Sequence, residues 1–253
     1  FKMVKSSSKF WQMIGRGTRL CPDVFGIGQD KEEFLIIDAG GNFDYFEVNT
    51  KGIENKPVKP LSQQIFESRV HLSRYLKEDG SDENFVLANQ MLDIVHKQIQ
   101  QLEKQRTIVK MNLKEVEEFS KRDRWNNLDA TDVNIIEQKL SALPHPETVN
   151  EMARRFDLMM LKMQIATIML SLDKKKYEGN LIDIAEGLSK KYTIPAVSRS
   201  KSLIENLRLP KFYKGISQQK LNEIREEIRE LVQYLDMASK PKIYSDIEDS
   251  AVT

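Results

Sequence analysis

From about residue 61 onward, apolar side chains recur at helical spacing through most of the chain. Ile65, Val70, Leu72 and Leu76 mark one helix, and Phe85, Leu87, Met91, Ile94, Val95, Ile99 and Leu102 form a long stripe along a second. Val109, Leu113, Val116 and Phe119 form another. "DATDVNIIEQKLSALP" (129–144) opens on an N-cap residue and closes on a proline. Residues 147–172 read as the longest helix, about 39 Å at a rise of about 1.5 Å per residue. Pro195 stands where a helix can begin, and "SQQKLNEIREEIRELVQYLD" (217–236) is a charged amphipathic helix. No self-similarity recurs at a fixed period, which argues against a helical repeat array. The pattern predicts an irregular domain of about six to nine helices over 61–240, followed by a tail at 241–253.

The first fifty residues mix periods. "SKFWQMIG" reads as a helix that starts near Ser8 and leads into a glycine-containing loop. "EFLIIDAGGNFDYFEV" (33–48) is rich in strand formers, is interrupted at Gly40-Gly41-Asn42 by turn chemistry, and resumes as a second short strand. The unbroken apolar run Phe34–Ile37 suits a strand buried on both faces, as in a parallel sheet. Helix, loop and buried strand make the end of an α/β unit, too small to bury a core of its own. The rest of its sheet is expected upstream, and a chain that begins on Phe1 reads as a piece of something longer. "KGIENKPVKPLSQ" (51–63), with Pro57 and Pro60, has the composition of a linker. The expected fold class is therefore mainly α: an irregular multi-helix domain at 61–240, joined by a linker at 51–60 to a short α/β remnant at 1–50.

Composition narrows the chemistry. The chain carries 39 basic and 38 acidic residues, so its total charge says nothing about nucleic acid. Residues 1–20 hold Lys2, Lys5, Lys9, Arg16 and Arg19 and no acid, so an anion-binding face is expected there. A single cysteine, Cys21, excludes an internal disulfide and a cysteine-based zinc site, and points to a reduced, intracellular setting. Three histidines without HExxH spacing give no catalytic zinc pattern. The most apolar window, "FDLMMLKMQIATIMLSL" (156–172), contains Asp157, Lys162 and Gln164 and reads as a buried helix, not a membrane span. Trp11 and Trp125 are expected to pack, Met152, Met159, Met160 and Met163 to line a core, and "DKKKY" (173–177) to form a solvated loop. Asp132 with Glu137 reads as ordinary helix-surface carboxylate, and His96 and His145 have no ligand-spaced partners.

The segment with chemical content is "QMIGRGTR" (12–19). An ordinary turn with exposed arginines is one reading. The other is phosphate recognition: glycines let backbone approach a ligand closely, and guanidinium forks spread phosphate charge over several hydrogen bonds. Arg16 and Arg19, three apart on a helical turn, would then lie on one face and share a target.

The spacing Gln, two residues, Gly-Arg, two residues, Arg resembles motif VI of helicase-type motors of the DEAD/DEAH kind. The longer stretch 8–46 resembles more narrowly the R subunit of type I restriction enzymes, which hydrolyse ATP, translocate double-stranded DNA and cut it at a distance. "YTIPAVSRSKSLIENL" (192–207) and "RELVQYLDMASKPKIYSDIEDS" (229–250) are similar to that subunit's C-terminal helical domain. The resemblance implies that residues 1–50 end a second RecA-like domain. It implies that Arg19 is an arginine finger on the γ-phosphate, that Arg16 contacts phosphates or the neighbouring domain, that Gln12 orients nucleotide or attacking water, and that Gly15 permits close approach. It implies ATP and Mg²⁺ as cofactors of the full-length protein, a prokaryotic cytoplasm, and double-stranded DNA and the methyltransferase and specificity subunits as partners, with no membrane. The chain lacks GxxxxGK[ST], an acidic helicase motif and a nuclease cluster. Taken alone it is therefore expected to be inactive, with no nucleotide and no metal bound. The alternative is a stand-alone helical module for protein interaction or DNA contact, without a catalytic role.

Overall fold

Every regular element among the described residues is helical, so the protein is mainly α. The computed structural model describes residues 7–23, 25–38, 43, 59–146 and 150–235, and two units divide the chain between Val58 and Lys59. No helix of the described residues is long and apolar enough to cross a membrane.

The N-terminal unit contains one helix, α1 (Ser7–Gly17). The strand expected at Phe34–Ile37 is not formed: residues 29–38 have no regular backbone pairing, and Leu35 and Ile37 are 85% and 81% exposed. A strand is defined by its ladder, and no partner strand exists among the described residues to supply one. Most of the second expected strand, after Gly40, lies outside the described residues.

In the helical unit, α2 (Leu61–Asp79) and α3 (Asp82–Gln100) form an antiparallel pair. The turn between them is tight for two reasons. Gly80 takes a left-handed φ of 75°, and Ser81 caps α3 by accepting from the Asn84 N–H at 3.3 Å. Two short helices follow, α4 (Thr107–Lys110) and α5 (Leu113–Phe119), and then α6 (Ala130–Ile135), which runs into a π-turn at Ile136–Leu140. Next come α7 (Glu151–Ile168), α8 (Asp173–Ser189), α9 (Pro195–Arg199), α10 (Lys201–Leu207) and α11 (Gln218–Ile228). Proline at the first position of α9 fits its fixed φ and missing N–H.

Two expectations change here. α7 is 18 residues long, and the 19-residue α2 and α3 are longer. It stops because Leu170 turns left-handed (φ 51°), with Ser171 N–H bonded back to Ala166 O at 2.9 Å. The three lysines after it are not a loop: Lys174, Lys175 and Lys176 lie in the first turns of α8, where Lys174 pairs with Glu178 one turn on.

α7 is the central element. Leu158 and Leu161 join Ile65, Leu72, Leu76, Leu87 and Met91 of α2 and α3. Phe156, Met159, Met160 and Met163 join a second cluster built from α8, α10, α11 and the 3₁₀ turns at Pro210–Tyr213 and Leu231–Tyr234. A helix buried on both sides must be apolar nearly all round, which is why 156–172 is the most hydrophobic window. A third cluster gathers Phe66, Val95, Ile99, Val116, Phe119, Ile136 and Trp125. Trp125 is fully buried as expected, its indole N–H donating to Phe119 O at 2.8 Å. His145 stacks on Phe66 at 4.6 Å.

Asp132 is not a surface carboxylate. It is 3% exposed and receives both terminal nitrogens of Arg124, one at 2.8 Å, while exchanging capping-box bonds with Asp129 at 2.8 and 3.1 Å. Burial works to raise its pKa, but the hydrogen bonds from Arg124 and the Asp129 N–H outweigh it and hold the carboxyl below the ordinary aspartate value. A depressed folded pKa stabilises the fold above the unfolded value, and that contribution is lost as pH falls through the folded pKa. Asp132→Asn should therefore cost about 2 kcal/mol at neutral pH. The gap to wild type should narrow below the ordinary value of 3.8. Denaturant unfolding across the acid range reads this, and a gap unchanged down to acid unfolding would show that the carboxylate charge is not what matters.

Candidate functional site

α1 sorts its residues by face. Phe10, Ile14 and Gly17 lie along one side at spacings of four and three and, with Phe34, Ile36 and Phe43, line a cavity of about 300 Å³. Phe10 is the anchor, 4% exposed, with edge-on ring contacts to Trp11 at 5.3 Å and Phe43 at 5.1 Å. Gln12 and Arg16, four apart, fall on the other side and are exposed. Trp11 is 60% exposed, so the packing expected of it is confined to its edge against Phe10.

The helix ends at Gly17, and Thr18 closes its last turn, with its hydroxyl donating to Gly15 O at 2.9 Å. Lys31 brings its ammonium to the Gly17 and Arg19 carbonyls, a cation at the negative end of the helix. It also lies 5.2 Å from the Phe34 ring centroid. The following segment folds back on itself. Asp23, in a left-handed conformation, receives the Gly28 N–H, and Lys31 N–H reaches Cys21 O at 3.1 Å. That return positions Lys31.

Arg16 belongs to the helix, but Arg19 stands beyond its end, so the two are not held on one helical face as the spacing predicts. Both are exposed. Among the described residues the Gln12 amide and the Arg16 and Arg19 guanidiniums make no hydrogen bond or ion pair, which leaves all three for an outside acceptor. Within the chain the tight glycine contact is at Gly17. A Cβ on Gly15 would meet nothing within 4 Å, whereas one on Gly17 would lie 2.3 Å from the Phe34 ring. No group of three or more His, Cys, Asp or Glu stands together as a metal set among the described residues.

A second polar cluster lies in the helical unit and has no local sequence signature. Arg69 of α2, Asp157 of α7, and Arg225 and Arg229 at the end of α11 are far apart in the chain and converge in its interior. Their only trace in the sequence is Asp157 itself, an acid inside the most apolar window.

The two glycines separate by experiment. Gly15→Ala is expected to protect α1 amides from hydrogen exchange about two- to five-fold, the gain of about 0.5–1 kcal/mol for replacing an unhindered helical glycine. Gly17→Ala should give no such gain, because the Phe34 ring must turn away first. Equal protection in both variants would contradict the packing of α1 on Phe34.

Compared with protein-family models, curated proteins and solved structures, the chain matches none of them.

Proposed function

We propose that this chain is the C-terminal part of a type I restriction enzyme R subunit, supplying one side of an ATP-hydrolysing site and a helical unit for assembly with the methyltransferase core. The observation that carries the reading is the order Gln12, Gly15-Arg16, Arg19, with both guanidiniums exposed and without partners among the described residues at the end of α1. The exposed Leu35 and Ile37 support it as well, since apolar side chains of this size suit a sheet that the described residues do not contain.

ATP with Mg²⁺ brings the phosphoryl group and its counter-ion. Arg19 neutralises charge that grows on the transferred group in the transition state, Arg16 holds phosphate oxygens, and Gln12 orients the nucleotide or water. These residues fit the outer side of a phosphate site. They do not form its cradle, since neither a phosphate loop nor an acidic magnesium ligand set occurs in the chain. The resemblance directs the role of the helical unit toward docking.

In the parent subunit, Arg19→Ala should lower DNA-stimulated ATP turnover by about 10³-fold or more while changing nucleotide affinity only slightly, because a finger acts on the transition state. Near-normal turnover would remove the motif VI reading. Calorimetry of the present chain with ATP should show no binding in the micromolar range.

Deleting residues 61–253 from the parent should abolish co-purification with the methyltransferase core and leave part of the DNA-stimulated ATPase activity. Undiminished co-purification would place docking elsewhere and favour DNA contact by the helices. DNA contact would show as a steep salt dependence, about 0.9 in log–log slope per phosphate neutralised.

A further inference from the structure

A cavity of about 200 Å³ that opens to the surface of the helical unit is lined by Arg69, Arg154, Asp157, Arg229 and Gln98 among others. Among the described residues that line it, Asp157 is the one acid. Asp157, 3% exposed, is fully used: Arg229 donates to both carboxylate oxygens at 3.0–3.3 Å, and Arg225 Nη1 reaches Oδ1 at 3.5 Å. The remaining donors of Arg225 go to Asn222 and Glu226, and Nη1 of Arg229 goes to Glu230.

Arg69 is left over. It makes no hydrogen bond or ion pair among the described residues, and its Nε is enclosed without an acceptor. Burial, reinforced by the charge of Arg225, pushes its pKa down to about 10, so it stays charged at neutral pH. Gln98 on the same wall also has an enclosed and unsatisfied Oε1, and turning that amide over would present its NH₂ to the cavity instead. Water can satisfy the hydrogen bonds of such a site but not its charge. An anion satisfies both.

We propose that this cavity binds a single small oxyanion of the phosphate class, held by the Arg69 guanidinium with Arg229 and the Gln98 amide around it. Guanidinium forks match tetrahedral oxyanions in geometry and charge. The volume lies below the roughly 300 Å³ at which drug-sized ligands begin to fit, so the site takes a free anion or one terminal phosphoryl group and leaves a nucleoside outside. Occupancy would tie α2 to α7 and α11, and so should be read in stability. This site is independent of the residues proposed above for ATP hydrolysis.

The test is thermal unfolding of the present chain at constant ionic strength, with inorganic phosphate replacing chloride. Phosphate should raise Tm by about 3 °C or more. The rise should saturate at low millimolar concentration, where general salting-out is negligible. Parallel titrations with phosphate alone and with ATP identify the source, since a rise with both assigns the site to a terminal phosphoryl group and a rise with phosphate only to the free anion. Arg69→Met should hold or raise Tm in phosphate-free buffer, because it removes a guanidinium with an enclosed Nε and no acid partner among the described residues, and should lose the phosphate-dependent rise. An equal rise in the variant would overturn the proposal. So would a calorimetric titration of the wild-type chain that shows no phosphate heat above the chloride control, whether or not the variant folds.

Discussion

The helical unit depends on burying α7 on both flanks while that helix carries a carboxylate. Leu158 and Leu161 seat it against α2 and α3, and Phe156, Met159, Met160 and Met163 seat it against α8, α10 and α11. Each flank removes large apolar area from water, and the two clusters that meet α7 share it as a common wall. Asp157 sits in the middle of this helix and cannot be left alone, because an unpaired buried carboxylate would cost several kcal/mol. The Arg225 and Arg229 side chains at the end of α11 are therefore constrained to meet it.

That constraint fixes more than one contact. Gln164 and Gln218 exchange side-chain-to-carbonyl bonds at 3.2 and 3.3 Å across the same α7–α11 boundary. On the other flank, buried Glu67 takes Lys59 at 2.7 Å and the Ser141 hydroxyl at 2.9 Å, linking the start of α2 to the turn after the π-turn. Such bonds add modest net stability and mainly select one register among several that apolar packing would accept. A third arginine, Arg69, lines the same wall and has no acid partner among the described residues.

The N-terminal unit has the opposite economy. Its apolar residues Leu20, Ile27, Leu35 and Ile37 are largely exposed, and among the described residues of this unit only Phe10 is buried. Helix α1 turns its apolar side toward Phe34 and leaves Gln12 and Arg16 outward, with Arg19 just past its end. Lys31 satisfies carbonyls at that end, so the segment holds its own backbone acceptors while the two guanidiniums stay available.

Local periodicity determined most of the helices by itself, though the helix read over 217–236 is α11 to Ile228 and then a 3₁₀ turn at Leu231–Tyr234. The stripe from Ile65 to Leu76 is buried, the stripe from Phe85 to Leu102 is buried except for exposed Phe85 and half-buried Ile94, the N-cap at Asp129 and the proline start at Pro195 are in use, and the methionine face of α7 packs in the core. These features are set by neighbours within one or two turns, which sequence displays directly. The sequence displays the order Gln12, Gly15-Arg16, Arg19, but not the end of the helix between the two arginines. Only the tertiary structure decided the rest. Phe34–Ile37 has strand composition but no ladder among the described residues, because pairing is non-local. Asp132 reads as surface until Arg124 is seen against it. Arg69, Asp157 and Arg229 meet only because three distant helices pack together, and no local pattern encodes a meeting of that kind.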